Sequence, residues 1–316
     1  MSVNPVDLSA AALAFSLLMY VLLDGTDLGV GMLFAWFPAG EDRRRLADSI
    51  LPVWDANETW LVLLAGGMLA LFPLAYSQLL SALYLPLFVM LLALFARAVA
   101  LEYRRHASLR VQKWLDKVLI YASALAAFFQ GVLPATVMNA MTPAGAFSWF
   151  ALLPVLSGCG VMAGYLLLGC CWARWRLRGE VGELASLLAS LFLVVMIIMM
   201  IGFCLLMPER FLAAWRFSAG KCLVLAAVLL CLSLPFLLRG ERLMAPLLAT
   251  LLLITCWLAM LMLGSYPWLI PQVMTLHDAA ASPETQYFVL WGLAVIIPLT
   301  LAYNSWVFWV FHGKVH

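Results

Sequence analysis

Apolar residues run through this chain in long blocks, separated by short polar stretches rich in arginine. A helix needs about 20 mostly apolar residues to cross the hydrocarbon of a bilayer. The pattern predicts nine such spans, at 8–37, 49–73, 77–101, 115–138, 149–172, 184–207, 218–238, 244–266 and 287–311. The first exceeds the minimum and is expected to tilt or to protrude on one side. Period-two alternation is absent, which argues against a barrel. The fold class is therefore all-α, a polytopic helical membrane protein. With no linker or low-complexity tract to divide it, residues 1–316 form a single integral membrane domain.

Composition agrees with the pattern. Hydrophobic residues make up 66% of the chain and charged ones 11%, and the mean hydropathy is +1.03. These values exclude an ordinary soluble domain. The net charge of +2 says little, but its distribution says more. Fourteen of the eighteen Lys and Arg fall in the segments 38–48, 102–117, 173–183 and 239–243 or after the last span, all on one side if nine spans are counted. By the positive-inside rule that side is cytoplasmic, so the N-terminus is expected to face the periplasm and the C-terminus the cytoplasm. The N-terminal MSVNPVDLSA lacks a basic stretch, so no cleaved signal peptide is expected, and the first span serves as its own insertion signal. No nucleic-acid partner is indicated. Membrane lipid is the expected surrounding.

Against this background four carboxylates stand out. Asp24 and Asp27 lie in LLDGTDLGVG, inside the first span; Asp55 and Glu58 lie in LPVWDANETWLVL, in the second. A charged residue at the centre of a membrane helix costs about 2.5–3.5 kcal/mol on insertion scales. Such groups usually line an ion or proton path or a buried polar site. Each pair has i, i+3 spacing, which places its members on one helix face. With the first span running inward and the second outward, all four come to similar depth, nearer the cytoplasm. Asp55, read as about two turns into its span, is expected to be the most sensitive. Protonatable groups in series, open to the proton source, are what a proton inlet needs. The competing reading is structural: the acids pair with Arg97, near the cytoplasmic end of the third span, and fix the packing of the helices.

Gly25, Gly29 and Gly31, with Gly66 and Gly67 in the second span, favour close helix approach. The polar apparatus is concentrated in spans 8–101. Spans 115–311 are nearly bare of ionisable groups and read as scaffold and partner interface.

The seven cysteines show no CxxC spacing, so neither a disulfide framework nor a metal site is indicated. The four histidines, His106, His277, His312 and His316, all lie in loops or at span ends. Haem b in a membrane helix bundle needs axial ligands at membrane depth, so this chain is expected to bind no haem. Tryptophans cluster near span ends, as interfacial belts do; Trp54 and Trp60 would alternatively flank a quinone ring.

Three stretches, LLDGTDLGVGM, VWDANETWLVLLAGGMLALFPLAY and ALYLPLFVMLLALFARAVALEYR, resemble blocks of subunit II of the cytochrome bd-type quinol oxidases. YPWLIPQVMTLHDAAAS and AYNSWVFWVFHGKV resemble its C-terminal block, and the length is similar to that of the shorter branch with the cyanide-insensitive oxidases. The resemblance implies a heterodimer in the bacterial inner (cytoplasmic) membrane with a haem-bearing subunit I. That subunit holds haem b and haem d, oxidises quinol and reduces dioxygen to water. It also implies that Asp24 and Asp55 belong to a cytoplasmic proton path, with Asp27 and Glu58 their neighbours by helical spacing. Small accessory single-span subunits and a structural quinone occur in some members. An independent proton-coupled secondary transporter is the alternative; such carriers often repeat their polar apparatus in both halves, and the second half here has no counterpart of DGTD or WDANE.

Overall fold

The computed structural model describes residues 4–139, 148–177 and 179–310. Arg178, Lys314, His312, His316 and most of the loop between the fourth and fifth spans lie outside them. Helices carry almost all of the chain: α1 (Pro5–Leu33), α2 (Glu41–Ile50), α3 (Trp54–Leu71), α4 (Pro73–Arg104), α5 (Leu109–Met138), α6 (Leu152–Arg176), α7 (Glu180–Leu206), α8 (Pro208–Trp215), α9 (Ser218–Arg239), α10 (Ala245–Ser265), α11 (Leu276–Ala279) and α12 (Pro283–Val310). A small antiparallel hairpin, β1 (Trp268–Ile270) and β2 (Met274–Thr275), precedes α11.

Eight of these helices are long and apolar enough to cross a membrane: α1, α4, α5, α6, α7, α9, α10 and α12. The ninth expected span is α3, and here the structure differs from the sequence pattern. It has only 18 residues, and its first two turns carry Asp55, Asn57 and Glu58, so polarity takes it below the apolar standard of the others. Residues 49–53 do not belong to it. The chain instead forms α2, whose Leu46, Ala47 and Ile50 are buried beneath a charged outer face, and turns at 51–53 before α3 begins.

α3 and α4 meet at a sharp corner. Phe72 has non-helical backbone and Pro73 starts α4, since proline fits a first helical turn where no N–H is required. The Leu71 carbonyl left free at the corner accepts from Ala281 N at 2.9 Å and from the buried Gln286 Nε2 at 2.7 Å. The corner is thereby pinned to the start of α12. α4 bends at Leu83, three residues before Pro86, as expected where proline removes a helical hydrogen bond.

The main core joins buried faces of α1, α2, α4, α5, α6, α7, α9 and α10, and a second, smaller core packs the corner, the hairpin and α11 against α1 and α12. α1 and α6 approach closely. A Cβ on Gly29 would run into the Tyr165 carbonyl, and one on Gly169 would run into the Gly29 backbone. Paired glycines let the two backbones touch. α1 packs on α5 and α6 as well as on α3, which embeds its acid-bearing turns in the bundle, whereas α3 keeps an exposed face along Val62 and Leu69. Large apolar side chains remain exposed along α7 (Leu187, Leu191, Ile198) and α12 (Phe288, Trp291, Val295, Leu299), as on a surface facing lipid or a partner helix.

Candidate functional site

Arg97 of α4 is the centre of the site. Its Nη1 donates to Asp24 Oδ1 of α1 at 2.6 Å and its Nη2 to Glu58 Oε1 of α3 at 2.6 Å. A planar guanidinium presents several N–H donors in a fixed fork, which suits it to bridging two carboxylates. The two anions differ sharply in exposure: the Asp24 side chain is 0% exposed and that of Glu58 32%. The ring of Trp54 lies 6.0 Å from the guanidinium carbon. One helical turn beyond Asp24, the buried Asp27 accepts from Asn57 Nδ2 at 2.8 Å. Asn57 thus clips α3 to α1 beside the ion pairs.

Asp55 differs from its expected place. It lies in the first turn of α3, not two turns inside it, and it is exposed. The reason is local: Pro52 and the turn at 51–53 delay the start of the helix, and α2 takes up the residues assigned to its first turn. The four acids therefore form a gradient from exposed Asp55, through half-exposed Glu58, to buried Asp24 and Asp27.

The glycines divide into two groups. Gly25 seats the ring of Tyr165, Gly29 its carbonyl, Gly31 the Ser123 hydroxyl and Gly67 a methyl of Leu13. Gly66 faces open space, with nothing within 4 Å of where its Cβ would stand, so close approach does not account for it. Trp60 is 0% exposed and packs edge-on against Phe15 at 5.8 Å. No face of its ring is left for a quinone, and Trp54 is turned to Arg97.

Sequence reasoning missed two further arrangements. Asp116, buried at the start of α5, accepts from Arg104 Nε at 2.5 Å and from Arg43 Nη1 at 3.1 Å. In the sequence Arg43 and Arg104 read only as loop charges. Gln130 of α5 bonds both Tyr20 of the first span and Tyr165; Gln130 and Tyr165 lie in spans that read as scaffold and partner interface, and a lone amide in an apolar span is the available signal. Among the described residues no group of three or more His, Cys, Asp or Glu is placed to hold a metal ion.

Comparison with known proteins agrees with this architecture. A solved structure titled as bd oxidase from Geobacillus thermodenitrificans superposes over 98% of this chain and 98% of its own, with a TM-score of 0.82 at 15% identity. Cytochrome bd-I ubiquinol oxidase subunit 2 of Escherichia coli K12 is 24% identical over 95% of this chain and 92% of its own length. Cytochrome bd ubiquinol oxidase subunit 2 of Bacillus subtilis is 40% identical, over a shorter match covering 39% of this chain and 37% of the relative. The profile of the family described as cytochrome bd terminal oxidase subunit II matches residues 6–311. This multi-pass membrane chain therefore belongs to the cytochrome bd terminal oxidase subunit II family.

Proposed function

We propose that this chain is the haem-free subunit II of a bacterial quinol:oxygen oxidoreductase, paired in the inner membrane with a haem-bearing subunit I. In this reading the partner oxidises quinol and reduces dioxygen to water. The present chain supplies protons from the cytoplasm toward the oxygen-reducing haem, which makes the reaction electrogenic. The N-terminus faces the periplasm and the C-terminus the cytoplasm, with α3 crossing as the ninth span; the distribution of basic residues supports that orientation.

The graded exposure of the acids around one guanidinium carries the proton-path reading. Asp55 is the entry, open to water in the first turn of α3. Glu58 is one turn further on, and Asp24 is reached across Arg97, which holds both carboxylates at 2.6 Å. A proton arriving on Glu58 neutralises it and weakens its bond to Arg97. The guanidinium is then drawn more firmly to Asp24, and the bridge couples the occupancy of one acid to that of the other. Asp27, held by Asn57, is the neighbouring buried acceptor.

The test is quinol-driven oxygen uptake by the complex purified with its partner. Asp24→Asn removes the titratable group and keeps its shape. Uptake is expected to fall more than tenfold, equivalent to more than about 1.4 kcal/mol on the barrier, with normal haem content. Asp55→Asn is expected to have a milder effect, because water reaches Glu58 directly. Normal uptake by Asp24→Asn would sink the path through this residue.

A further inference from the structure

The polar cluster does not end at Asp24. One turn earlier on α1 stands Tyr20, buried, whose hydroxyl oxygen accepts from Gln130 Nε2 at 2.6 Å. The other end of the same amide is also engaged, since the Tyr165 hydroxyl of α6 donates to Gln130 Oε1 at 2.7 Å. Three helices thus meet in one short chain of hydrogen bonds. The acid-bearing motif itself makes room for it, because a Cβ at Gly25 would occupy the place of the Tyr165 ring.

This chain has a direction. A hydroxyl offers one proton and two acceptor sites. With the Gln130 amide on its oxygen, Tyr20 keeps its own proton to give. Asp24 lies at i+4 on the same helix face. Its Oδ1 is held by Arg97, and its buried Oδ2 has no hydrogen-bond partner. The groups around Asp24 are Tyr20 and Asp27 on α1, Glu58 on α3, Arg97 on α4 and Tyr165 on α6.

We propose that Gln130 is a positioning residue for Asp24: anchored by Tyr165, it occupies the acceptor side of Tyr20 and turns the Tyr20 proton onto the free oxygen of Asp24. The carboxylate is then fixed between two donors on opposite sides. The amide also ends the line. Its carbonyl and its N–H are each committed to a tyrosine, so it passes no proton onward, and a proton held at Asp24 leaves by another way. The effect of this arrangement on turnover rests on Asp24 acting as a relay, but the hydrogen bonding itself does not.

The test uses the complex with subunit I and the variants Tyr20→Phe, Gln130→Met and Tyr165→Phe. Each keeps the bulk of the native side chain. The infrared band of a protonated carboxyl that is lost in Asp24→Asn identifies that residue, and its frequency is followed in each variant. In Tyr20→Phe and Gln130→Met the band is expected to move to higher frequency, as for a carboxyl that has lost a hydrogen-bond partner. Combining the two should shift it no further than Tyr20→Phe alone, because Gln130 acts through Tyr20. If Gln130→Met does not assemble, Tyr165→Phe frees the far end of the amide while keeping the ring against Gly25, and a smaller shift in the same direction is expected. An unmoved band, or shifts that simply add, would mean that the amide is turned over or only packs, and would overturn the proposal. A shifted band together with normal oxygen uptake in Asp24→Asn would leave the positioning role standing and remove the relay.

Discussion

Two buried ion clusters lie seven residues apart on α4, and in composition each inverts the other. At Arg97 one guanidinium bridges two carboxylates, Asp24 and Glu58, brought by α1 and α3. Next to Arg104 one carboxylate, Asp116 of α5, is bridged by two guanidiniums, its own partner Arg104 and Arg43 of α2. Charge counting separates their tasks. Around Arg97 stand three acids, including Asp27, so one cation cannot neutralise them all. Around Asp116 the cations outnumber the anion, and both of its oxygens are taken up by guanidiniums. The first arrangement suits relay. The second is a clasp that ties α2 and the ends of α4 and α5 together on the side assigned to the cytoplasm.

The strongest way to break this comparison is to remove its shared element, a buried arginine on α4. Arg97→Met leaves Asp24 and Asp27 buried without their cation. Breaking a buried pair in this way typically costs about 3–5 kcal/mol, so the complex is expected to lose haem content and melt well below the native form. Arg97→Lys should recover only part of that stability, since a lysine cannot fork to two carboxylates. A fully assembled Arg97→Met complex would show that the cluster is solvated enough to need no cation, and the charge count would lose its force.

A sharper test exchanges stability for turnover between the clusters. Asp116→Asn is expected to lower stability by about 1–3 kcal/mol, the range for losing a charge-assisted hydrogen bond, because Arg43 and Arg104 keep other contacts. Arg43 Nε still donates to the Phe37 carbonyl at 2.9 Å, and the Arg104 guanidinium still lies 5.5 Å from the Phe34 ring. Oxygen uptake per assembled complex should not change. A large loss of turnover in Asp116→Asn, at normal haem content, would place this acid on the proton route and erase the distinction.

The contrast also shows what the sequence makes legible. Asp24, Asp27 and Glu58 are visible because a carboxylate in an apolar block is costly, and Arg97 because a cation in the same block needs an anion. Asp116 is hidden by its position: beside Lys113 and Lys117 it looks like part of a solvated basic loop, and only the fold shows that it is buried. α2 is hidden in the same way. Its charges read as a loop, although Leu46, Ala47 and Ile50 already mark a helical stripe. Asp55 was misplaced because hydropathy alone runs the second span back to residue 49, whereas Pro52 and the turn at 51–53 set the true start. Gln130, Tyr20 and Tyr165 are uncharged, so no electrostatic cost draws attention to them; three-dimensional proximity alone joins them to the acids.

The smallest expected effect comes from an acid outside both clusters. Asp278 sits in α11, on the face assigned to the periplasm, and completes a capping box with Thr275. Its carboxylate accepts from Thr275 Oγ1 at 2.6 Å and from Thr275 N at 3.0 Å, while its own N–H donates to Thr275 Oγ1 at 3.3 Å. The Thr275 hydroxyl and backbone N–H together hold the Asp278 carboxyl below the usual carboxylate range. A depressed folded-state value means that the cap is fully present above the unfolded value and is lost only as the pH falls through the folded one. Between about pH 5 and 8, well above the ordinary aspartate value of about 3.9, the cap is constant. Asp278→Ala should therefore speed amide exchange over residues 275–279 throughout that window. The difference from the native chain should vanish only in more acidic solution. Turnover should not respond, because this carboxylate is exposed, bonded only to its own turn and remote from Arg97 in the fold. If Asp278→Ala lowered oxygen uptake as Asp24→Asn is expected to do, burial beside a shared guanidinium would no longer be what sets the functional acids apart.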